Sequence, residues 1–350
     1  MKFFPPLWQA VGRTSSVCGS DRPRRVMCGG GRAETLKGMT SVRVGVDNFV
    51  RAETDRMFGD LQRDSGGINR FSHNREPAPV DRQTVIRMNR DTLYSFAIVD
   101  ISAGATMTVP DSGERYLSMM VVNQDHYINR IFHDPGDYEL TVAAYDTPYV
   151  AIAARVLVDP ADPGDLAAVS ALQDQFGLKA GSARPFVAPD YDKASFDATR
   201  GAVLTLAKGM SRFDHAFGSK DEVDPIRHLL ATAAGWGGLP DREASYVGVE
   251  PGLPVGEYTL TVRDVPVDAF WSVSVYNADG FFEPNDLGVY SVNSVTAQPE
   301  ADGSVVIHFG GCGDGVRNCV PITDGWNYVV RLYRPRAEIL NGTWTVPAID

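Results

Sequence analysis

The chain has 350 residues, of which 43% are hydrophobic, and this is enough for a sizeable core in two domains. Its formal net charge of −11 argues against nucleic acid as a partner, because an acidic surface repels phosphate backbones. No apolar run approaches the roughly 20 residues that cross a bilayer, so we expect no membrane partner.

The first 38 residues differ in composition from the rest of the chain. They carry seven Lys or Arg residues against two acidic ones, and Pro5 and Pro6 break their apolar stretch. A signal peptide needs an unbroken apolar core, so this stretch makes a poor one. We predict a disordered basic extension over residues 1–38, with a targeting arm as the alternative.

In the segments that follow, the spacing of the apolar residues changes twice. Apolar residues at helical spacing predict an amphipathic helix over residues 46–63. From Thr84 the period is that of strands, separated by turn residues as far as residue 158. Residues 159–238 carry three helical stripes of apolar side chains, and strands return from residue 244. The order of the chain is therefore β, then α, then β.

The two β regions contain similar short segments. "LSMMVVNQD" (117–125) and "WSVSVYNAD" (271–279) share Ser, Val, Asn and Asp in register, and Tyr116 corresponds to Phe270. This pattern favours two related β-sandwich modules with a common strand-and-turn unit. The alternative is coincidence between two alternating strands that each end in a turn. Duplication would make side chains of the turns bond backbone donors in both halves, at Asn123, Asp125, Asn277 and Asp279.

Two sets of motifs in this chain resemble a two-part bacterial family of unknown function. "MNRDTLYS" and "VPDSGERYLSMMVVNQDHY" resemble the region named DUF1254. "YTLTVRDVPVDAFWSVSVYNADGFF" and "WNYVVRLYRPRAEILNGTWTVPAI" resemble the region named DUF1214, and the resemblance covers roughly residues 42–349. It implies two jelly-roll-like β-sandwiches with a helical insertion. The resemblance does not indicate a settled activity or a cofactor.

We therefore predict an α+β, mainly β, fold of two tandem jelly-roll-like antiparallel β-sandwiches. An N-terminal helix and the first sandwich would occupy residues 39–158. A helical insertion would occupy residues 159–243, and the second sandwich residues 244–350.

The polar stretch "NRDT" inside an apolar strand pattern is the main candidate for a binding site. On a strand that includes them, Arg90, Thr92 and Tyr94 face one side and offer a cation, a hydroxyl and a phenol to a carboxylate or a sugar. Asn89 and Asp91 are interpreted as structural, since such side chains often bond a turn. The flanking apolar residues, Ile86 among them, predict that the motif is buried against the helical insertion or the second sandwich.

A second polar cluster lies in "NQDHYINRIFHD". His126 is a candidate ligand or acid–base residue beside the Arg90 face, together with Tyr116, and Asp125 is a weaker catalytic candidate. A histidine that only bonds a turn is the alternative for His126. His126 and His133 are seven residues apart, which puts them on opposite faces of a strand, so no metal site is predicted.

Cys312 and Cys319 lie in the Gly-rich loop "GGCGDGVRNCVPI". Their spacing matches neither a zinc knuckle nor a redox motif. We predict two free thiols in a reducing cytoplasm, with a local disulfide as the alternative.

Two classes of function follow from these patterns. One is an enzyme or binding protein that acts on a small polar or sugar-like ligand in a cleft beside the first sandwich. The other is a non-catalytic structural or assembly module, since jelly-roll sandwiches also build homo-oligomers and shells. Convergent titratable groups in a deep pocket would favour the first class.

Overall fold

The computed structural model describes residues 41–83, 87–210 and 212–350. The predicted basic extension over residues 1–38 lies outside the described residues, as does Ile86. The helices of the described chain are Phe49–Asp64 (α1), Val142–Tyr145 (α2), Pro163–Gln173 (α3), Lys193–Ala207 (α4), Pro225–Gly235 (α5) and Ala337–Leu340 (α6), with a 3₁₀ turn at Val80–Arg82.

The strands are short and numerous, as in a mainly β fold. Those before α4 are Ser72–His73 (β1), Thr92–Asp100 (β2), Ala105–Val109 (β3), Leu117–Asn123 (β4), Ile128–Phe132 (β5), Gly136–Leu140 (β6), Tyr149–Leu157 (β7) and Gly177–Ala180 (β8). Those after α5 are Ala244–Val249 (β9), Tyr258–Val262 (β10), Trp271–Tyr276 (β11), Ser291–Asn293 (β12), Val305–Phe309 (β13), Cys319–Val320 (β14) and Asn327–Tyr333 (β15).

The strands form two antiparallel β-sandwiches, as predicted. In the first, a sheet of order β1-β2-β7-β4-β5 faces a sheet of order β6-β3-β8, and apolar side chains from both sheets share one core. In the second, a sheet of order β12-β11-β15-β9 faces a sheet of order β10-β13-β14 around a second core. Within this second sandwich, only the pairing of β13 with β14 is parallel.

Helices cover the other face of the five-stranded sheet. α1 packs on β2 and on α5, and their buried side chains form a core with the outer face of β2, β4 and β7. Asp162, Asp192 and Asp224 cap α3, α4 and α5, because each carboxylate accepts from backbone N–H groups in the first turn.

Both sandwiches contain the same strand-and-turn unit. Asn123 Oδ1 accepts from the backbone N–H groups of Asp125 and Tyr127, at 3.0 and 2.9 Å. Asn277 Oδ1 accepts from those of Asp279 and Phe281, at 3.1 and 3.0 Å. The asparagine carboxamides bond the turns in both halves, whereas Asp125 bonds Arg51.

The structure corrects three expectations. β2 begins at Thr92, not near Thr84, so Arg90 lies in the connection before the strand. The segment between α3 and α4 contributes β8 to the first sandwich, because Gly177–Ala180 pairs with β3. Cys312 and Cys319 form a disulfide with an S–S distance of 2.06 Å and are not free thiols. The Gly-rich loop brings them together because it turns back on itself between β13 and β14.

Candidate functional site

The large sheets of the two sandwiches meet through polar side chains in the interior. Asn89 donates from Nδ2 to the Tyr333 hydroxyl at 2.9 Å, although 244 residues separate them in sequence. Tyr276 donates to the Met88 carbonyl at 2.7 Å, and the Asp91 carboxylate accepts from the Ser272 hydroxyl at 2.6 Å. These bonds attach the segment before β2 to the second sandwich, which is one of the two places, with the helical insertion, where the sequence predicted that it would be buried.

Each large sheet carries an arginine between a tyrosine and a serine on its outer face, which is turned away from the core of its own sandwich. In the first sheet, Arg155 of β7 pairs with Tyr94 of β2 on one side and with Ser118 of β4 on the other. In the second sheet, the same positions are held by Tyr246 of β9, Arg331 of β15 and Ser272 of β11. The common strand-and-turn unit makes Ser118 and Ser272 equivalent, so Arg155 and Arg331 are equivalent too.

Arg331 is bonded almost entirely by the protein. Its Nη1 donates to Ser274 Oγ at 2.7 Å, and its Nη2 donates to the Tyr276 hydroxyl at 2.7 Å and to the Met88 carbonyl at 3.2 Å. The Asp91 carboxylate lies 4.0 Å from Nη1. This buried guanidinium therefore has both hydrogen-bond acceptors and a negative charge nearby.

Arg155 is fully buried but has few partners. Its Nη2 donates to the Gly237 carbonyl at 3.0 Å, and its guanidinium lies 5.4 Å from the centre of the Tyr94 ring. Its Nε and Nη1 have no hydrogen-bond partner in the described chain. Guanidinium groups stay charged in proteins, so a positive charge without a carboxylate lies behind the tyrosines.

The two arginines have different surroundings because different residues occupy two positions of the strand beside each of them, β11 beside Arg331 and β4 beside Arg155. The acceptors of Arg331, Ser274 and Tyr276, lie two and four residues beyond Ser272 on β11. The residues two and four beyond Ser118 on β4 are Met120 and Val122, which pack into the apolar core under α1. Apolar side chains cannot accept hydrogen bonds, so Arg155 is left with unused donors.

His126 positions the residue that bonds Arg155. The Gly237 N–H donates to His126 Nε2 at 2.9 Å, so the proton of the neutral ring is on Nδ1, which donates to Thr232 Oγ1 at 2.8 Å. Gly237 has φ = 75°, a left-handed conformation that glycine adopts readily, and its carbonyl points to Arg155. Burial, together with the nearby His228, holds the pKa of His126 well below its usual range.

A cavity of about 870 Å³ opens beside this polar interface. One wall comes from the second sandwich and the segment before β2, with Asn89, Tyr246, Arg331 and Tyr333. The opposite wall comes from the connections on either side of α5, within residues 212–242, and α6 contributes at one end. The apolar part of the lining includes Phe213, Phe217, Leu239, Ile339 and Leu340.

The wall formed by residues 212–242 carries charges of both signs. Arg242 bonds Glu222. The carboxylate of Asp241 accepts from the backbone N–H of His215 at 2.9 Å. Burial raises the pKa of Asp241 above its ordinary value, against the opposing effect of that hydrogen bond. A lining carboxyl group with a raised pKa is a candidate for proton transfer.

Family models match two separate segments of the chain. The model described as "Protein of unknown function (DUF1254)" matches residues 68–131, and "Protein of unknown function (DUF1214)" matches residues 254–337. The chain carries a DUF1254 region followed by a DUF1214 region. A search of curated proteins found no match to this chain.

Solved structures resemble the chain across both regions. The VPA0106 protein from Vibrio parahaemolyticus is 18% identical with a TM-score of 0.68, over 87% of this chain and 97% of that one. An uncharacterised protein from Burkholderia cenocepacia is 14% identical with a TM-score of 0.46, over 83% of this chain and 84% of that one. At these identities the likeness to the Vibrio protein shows a common fold and no more.

The polar interface uses residues from both named regions and from the chain between them. Asn89 and Tyr94 belong to the DUF1254 match, and Arg331 and Tyr333 belong to the DUF1214 match. Arg155 and Tyr246 lie between the two matched segments.

The residues predicted to bind a ligand lie around the interface and are not together on one surface. Arg90 donates to the Ala78 carbonyl and lies 5.4 Å from the centre of the Tyr290 ring. Thr92 is buried and accepts from Asn89 at 3.2 Å. Tyr94 contacts Arg155, as described above. None of these three lines the cavity in the described part of the chain.

Tyr116, His126 and Asp125 also lie outside the cavity lining. Tyr116 is buried, and its hydroxyl donates to Ser118 at 3.1 Å. Asp125 is half-exposed and forms an ion pair with Arg51 at 2.6 Å. Predicted roles for these residues in ligand binding or catalysis stay predictions.

Neither Arg155 nor the residues Tyr246, Arg331 and Tyr333 were among the ligand residues predicted from the sequence. The signal for Arg155 was present in "YVAIAARVLV", where one arginine interrupts an otherwise apolar strand. A charge at the centre of a buried strand needs partners, and that requirement marks the position for study. Among the described residues, no group of three His, Cys, Asp or Glu side chains is arranged to hold a metal ion, and no helix is long and apolar enough to cross a membrane.

Proposed function

We propose that the protein binds a small organic molecule in the cavity between the second sandwich, the segment before β2 and the wall formed by residues 212–242. The observation that supports this most directly is the cavity itself. Its volume of about 870 Å³ lies within the range of roughly 300–1,000 Å³ that is usual for ligand sites. It lies where two β units meet, which is a common position for such sites.

The side chains that line the cavity indicate the kind of molecule that would fit. One end offers the hydroxyl and amide groups of Tyr246, Tyr333 and Asn89, and the rest includes the apolar side chains of Phe213 and Leu239. A molecule with an apolar body and a polar end satisfies both parts of the lining, because each would meet groups of its own kind.

A thermal-shift screen with organic acids, sugars and neutral aromatic compounds tests this proposal. A compound at 100 times its Kd stabilises the folded state by about 2.7 kcal/mol, which is a rise in Tm of roughly 5 °C. Leu340 lines the cavity and is 49% exposed, so Leu340→Trp should narrow the site and reduce the rise without disturbing the core.

The matched control is Leu287→Trp, at a leucine that is 54% exposed and is not part of the cavity lining. This variant should keep the full rise in Tm. A rise that is equal in all three proteins would place the compound elsewhere, and the absence of any stabilising compound would overturn the proposal.

Catalysis on the bound molecule is a second candidate function, and Asp241 is the observation in its favour. Its carboxyl group lines the cavity with a pKa that burial raises, so it holds a proton to higher pH than an exposed aspartate. If Asp241 transfers a proton, Asp241→Asn would leave the thermal shift intact and abolish turnover of the same compound. Equal turnover by both proteins would remove this candidate.

The disulfide also supports an oxidising compartment as the place where the protein acts. Disulfides persist in secreted and periplasmic proteins, whereas cytosolic thiols are kept reduced. The Cys312–Cys319 bond therefore favours such a compartment over the cytoplasm that the sequence suggested.

A further inference from the structure

The interface between the two large sheets holds more hydrogen-bond donors than acceptors. Asn89 Nδ2 donates one N–H to the Tyr333 hydroxyl oxygen at 2.9 Å and shares the other between Thr92 Oγ1 at 3.2 Å and the Tyr94 hydroxyl oxygen at 3.3 Å. The hydroxyl protons of these two tyrosines must therefore point to other acceptors, and the described chain provides none. The hydroxyl of Tyr246 has no protein partner among the described residues.

Tyr246 and Tyr333 keep their hydroxyl protons at neutral pH. Burial raises the pKa of Tyr246 to about 12. Burial also raises the pKa of Tyr333 well above its ordinary value. Each phenol is therefore a donor in need of an acceptor, because a buried donor without one costs about 1–3 kcal/mol, as a general estimate for buried polar groups.

Arg155 adds a positive charge to the same cluster. Its Nε and Nη1 have no partner, and its charge interacts with Tyr94, Tyr246 and Tyr333. Two of these tyrosines line the cavity, and so does Gly238, next to the Gly237 that bonds Arg155. The guanidinium thus lies one layer of side chains behind the cavity wall. A buried charge of this kind calls for a negative partner.

We propose that the ligand of this cavity carries a carboxylate, which the hydroxyl groups of Tyr246 and Tyr333 bind and the charge of Arg155 neutralises. This inference rests on the proposed function and names the class of molecule. A carboxylate supplies the acceptors that the tyrosines lack. Its single negative charge balances one guanidinium, whereas a phosphate dianion would leave a surplus.

The equivalent arginine shows why the protein alone does not satisfy this cluster. Arg331 finds Ser274 and Tyr276 at the positions where Arg155 finds Met120 and Val122, and the Asp91 carboxylate lies near Arg331 as well. In one copy of the duplicated unit, protein groups therefore bond the guanidinium of Arg331. In the other copy, the guanidinium of Arg155 keeps donors that no protein group uses among the described residues. Tyr246 and Tyr333, whose hydroxyl groups interact with the charge of Arg155, line the cavity.

Four probes of similar size test the inference on the full chain: benzoate, phenyl phosphate, benzamide and benzyl alcohol. We expect benzoate to raise the Tm of the wild-type protein and to bind in calorimetry. Phenyl phosphate should bind more weakly, and the two neutral probes should have little effect. If phenyl phosphate bound more strongly than benzoate, the site would prefer a phosphate group, and the carboxylate assignment would be overturned.

Two variants locate the benzoate site. Tyr246→Phe removes one hydroxyl that has no bond within the protein, and Arg155→Met removes the charge. Each should weaken benzoate binding by about tenfold or more, the usual loss for a hydrogen bond to a charged group. Arg155→Lys keeps the charge but not the guanidinium geometry. It serves as the second variant if Arg155→Met does not fold, and it should bind benzoate with intermediate affinity.

Matched controls separate this effect from a general change in charge or hydrophobicity. Arg75→Met removes an arginine that pairs with Asp174, and Tyr127→Phe removes a hydroxyl of a residue that stacks on His228. Neither residue lines the cavity, so both variants should bind benzoate as the wild type does.

The outcomes distinguish this inference from the proposed function. Equal binding of benzoate and benzamide, or unchanged benzoate binding in Arg155→Met and Tyr246→Phe, would overturn the inference and leave cavity binding in place. No effect of benzoate on the wild-type protein would also overturn it. Cavity binding would then stand only if the wider screen finds a neutral compound that Leu340→Trp excludes.

Discussion

At the scale of single residues, Asp91 holds the most consequential position in the interface between the sandwiches. It is 1% exposed, accepts from Ser272 at 2.6 Å and from Ser291 at 3.3 Å, and lies 4.0 Å from Arg331. Its backbone N–H bonds the side chain of Asn89 at 2.9 Å. The "NRD" stretch is therefore a buried junction, built from the asparagine and the aspartate.

Asp91→Ala should destabilise the protein strongly, because it leaves the buried Arg331 without its nearest negative charge. The expected loss in the free energy of unfolding is about 3–5 kcal/mol. Asp125→Ala is the control, since its half-exposed pair with Arg51 should contribute no more than about 1 kcal/mol. Urea denaturation of both variants measures the difference, and equal losses would show that Asp91 is not a junction residue.

For the same stretch, the sequence predicted the burial of the residues but not the start of the strand. The apolar flanks of "MNRDTLYS" predicted burial against the helical insertion or the second sandwich, and the structure shows its bonds to the second sandwich. The strand face proposed for Arg90, Thr92 and Tyr94 is wrong for Arg90, because β2 begins only at Thr92. Propensity could not place that boundary, since the partners of Asn89 and Asp91 lie about 180 to 244 residues away.

At the scale of elements, a buried carboxylate fastens the end of β2 to the chain that follows β8. Asp100 accepts from Ser102 Oγ at 2.5 Å, from Ser182 Oγ at 2.6 Å and from the backbone N–H of Arg184 at 3.0 Å. Burial alone would raise the pKa of Asp100, but these hydrogen bonds outweigh it and hold the pKa well below its usual range.

The pH dependence of stability follows from this lowered pKa. An aspartate whose pKa is depressed by folding stabilises the protein above its unfolded pKa of about 3.9, and the contribution is lost as the pH falls below that value. Asp100→Asn should lower the free energy of unfolding by about 2–3 kcal/mol at pH 7.

Urea denaturation of Asp100→Asn and wild type at pH 7, 5 and 3 measures this dependence. The difference between the two proteins should be nearly constant from pH 7 to 5 and should shrink towards pH 3. Asp81→Asn, at a largely exposed residue, should track the wild type throughout. A difference for Asp100→Asn that stays the same at pH 3 would contradict the assignment.

Sequence periodicity was most informative for elements that pack on a core. The helix predicted over residues 46–63 is observed at Phe49–Asp64, because its apolar stripe packs on β2 and α5. Periodicity missed Gly177–Ala180, since a four-residue strand is too short to show a repeat and exists through pairing with β3. The disulfide was only the alternative to two free thiols, because spacing does not report how closely a loop brings two sulfurs together.

At the scale of the whole molecule, duplication explains both the architecture and the site. The two asparagine turns share their hydrogen bonds, and Arg155 and Arg331 occupy equivalent positions in the two large sheets. The similarity of "LSMMVVNQD" and "WSVSVYNAD" predicts this duplication. The two arginines differ in their hydrogen bonds because side chains on the neighbouring strand supply acceptors to Arg331 and none to Arg155. A comparison of the short motifs does not reveal this difference.

We propose that a small molecule occupies the cavity and contacts the tyrosines that line it. A crystal structure of the full chain with the most stabilising compound of the screen tests it most directly. The compound should lie between Phe213 and Tyr333, with an acceptor oxygen about 2.6–3.0 Å from the Tyr246 hydroxyl. Density for the compound at another surface, with the cavity empty or closed by Tyr246, would contradict the account.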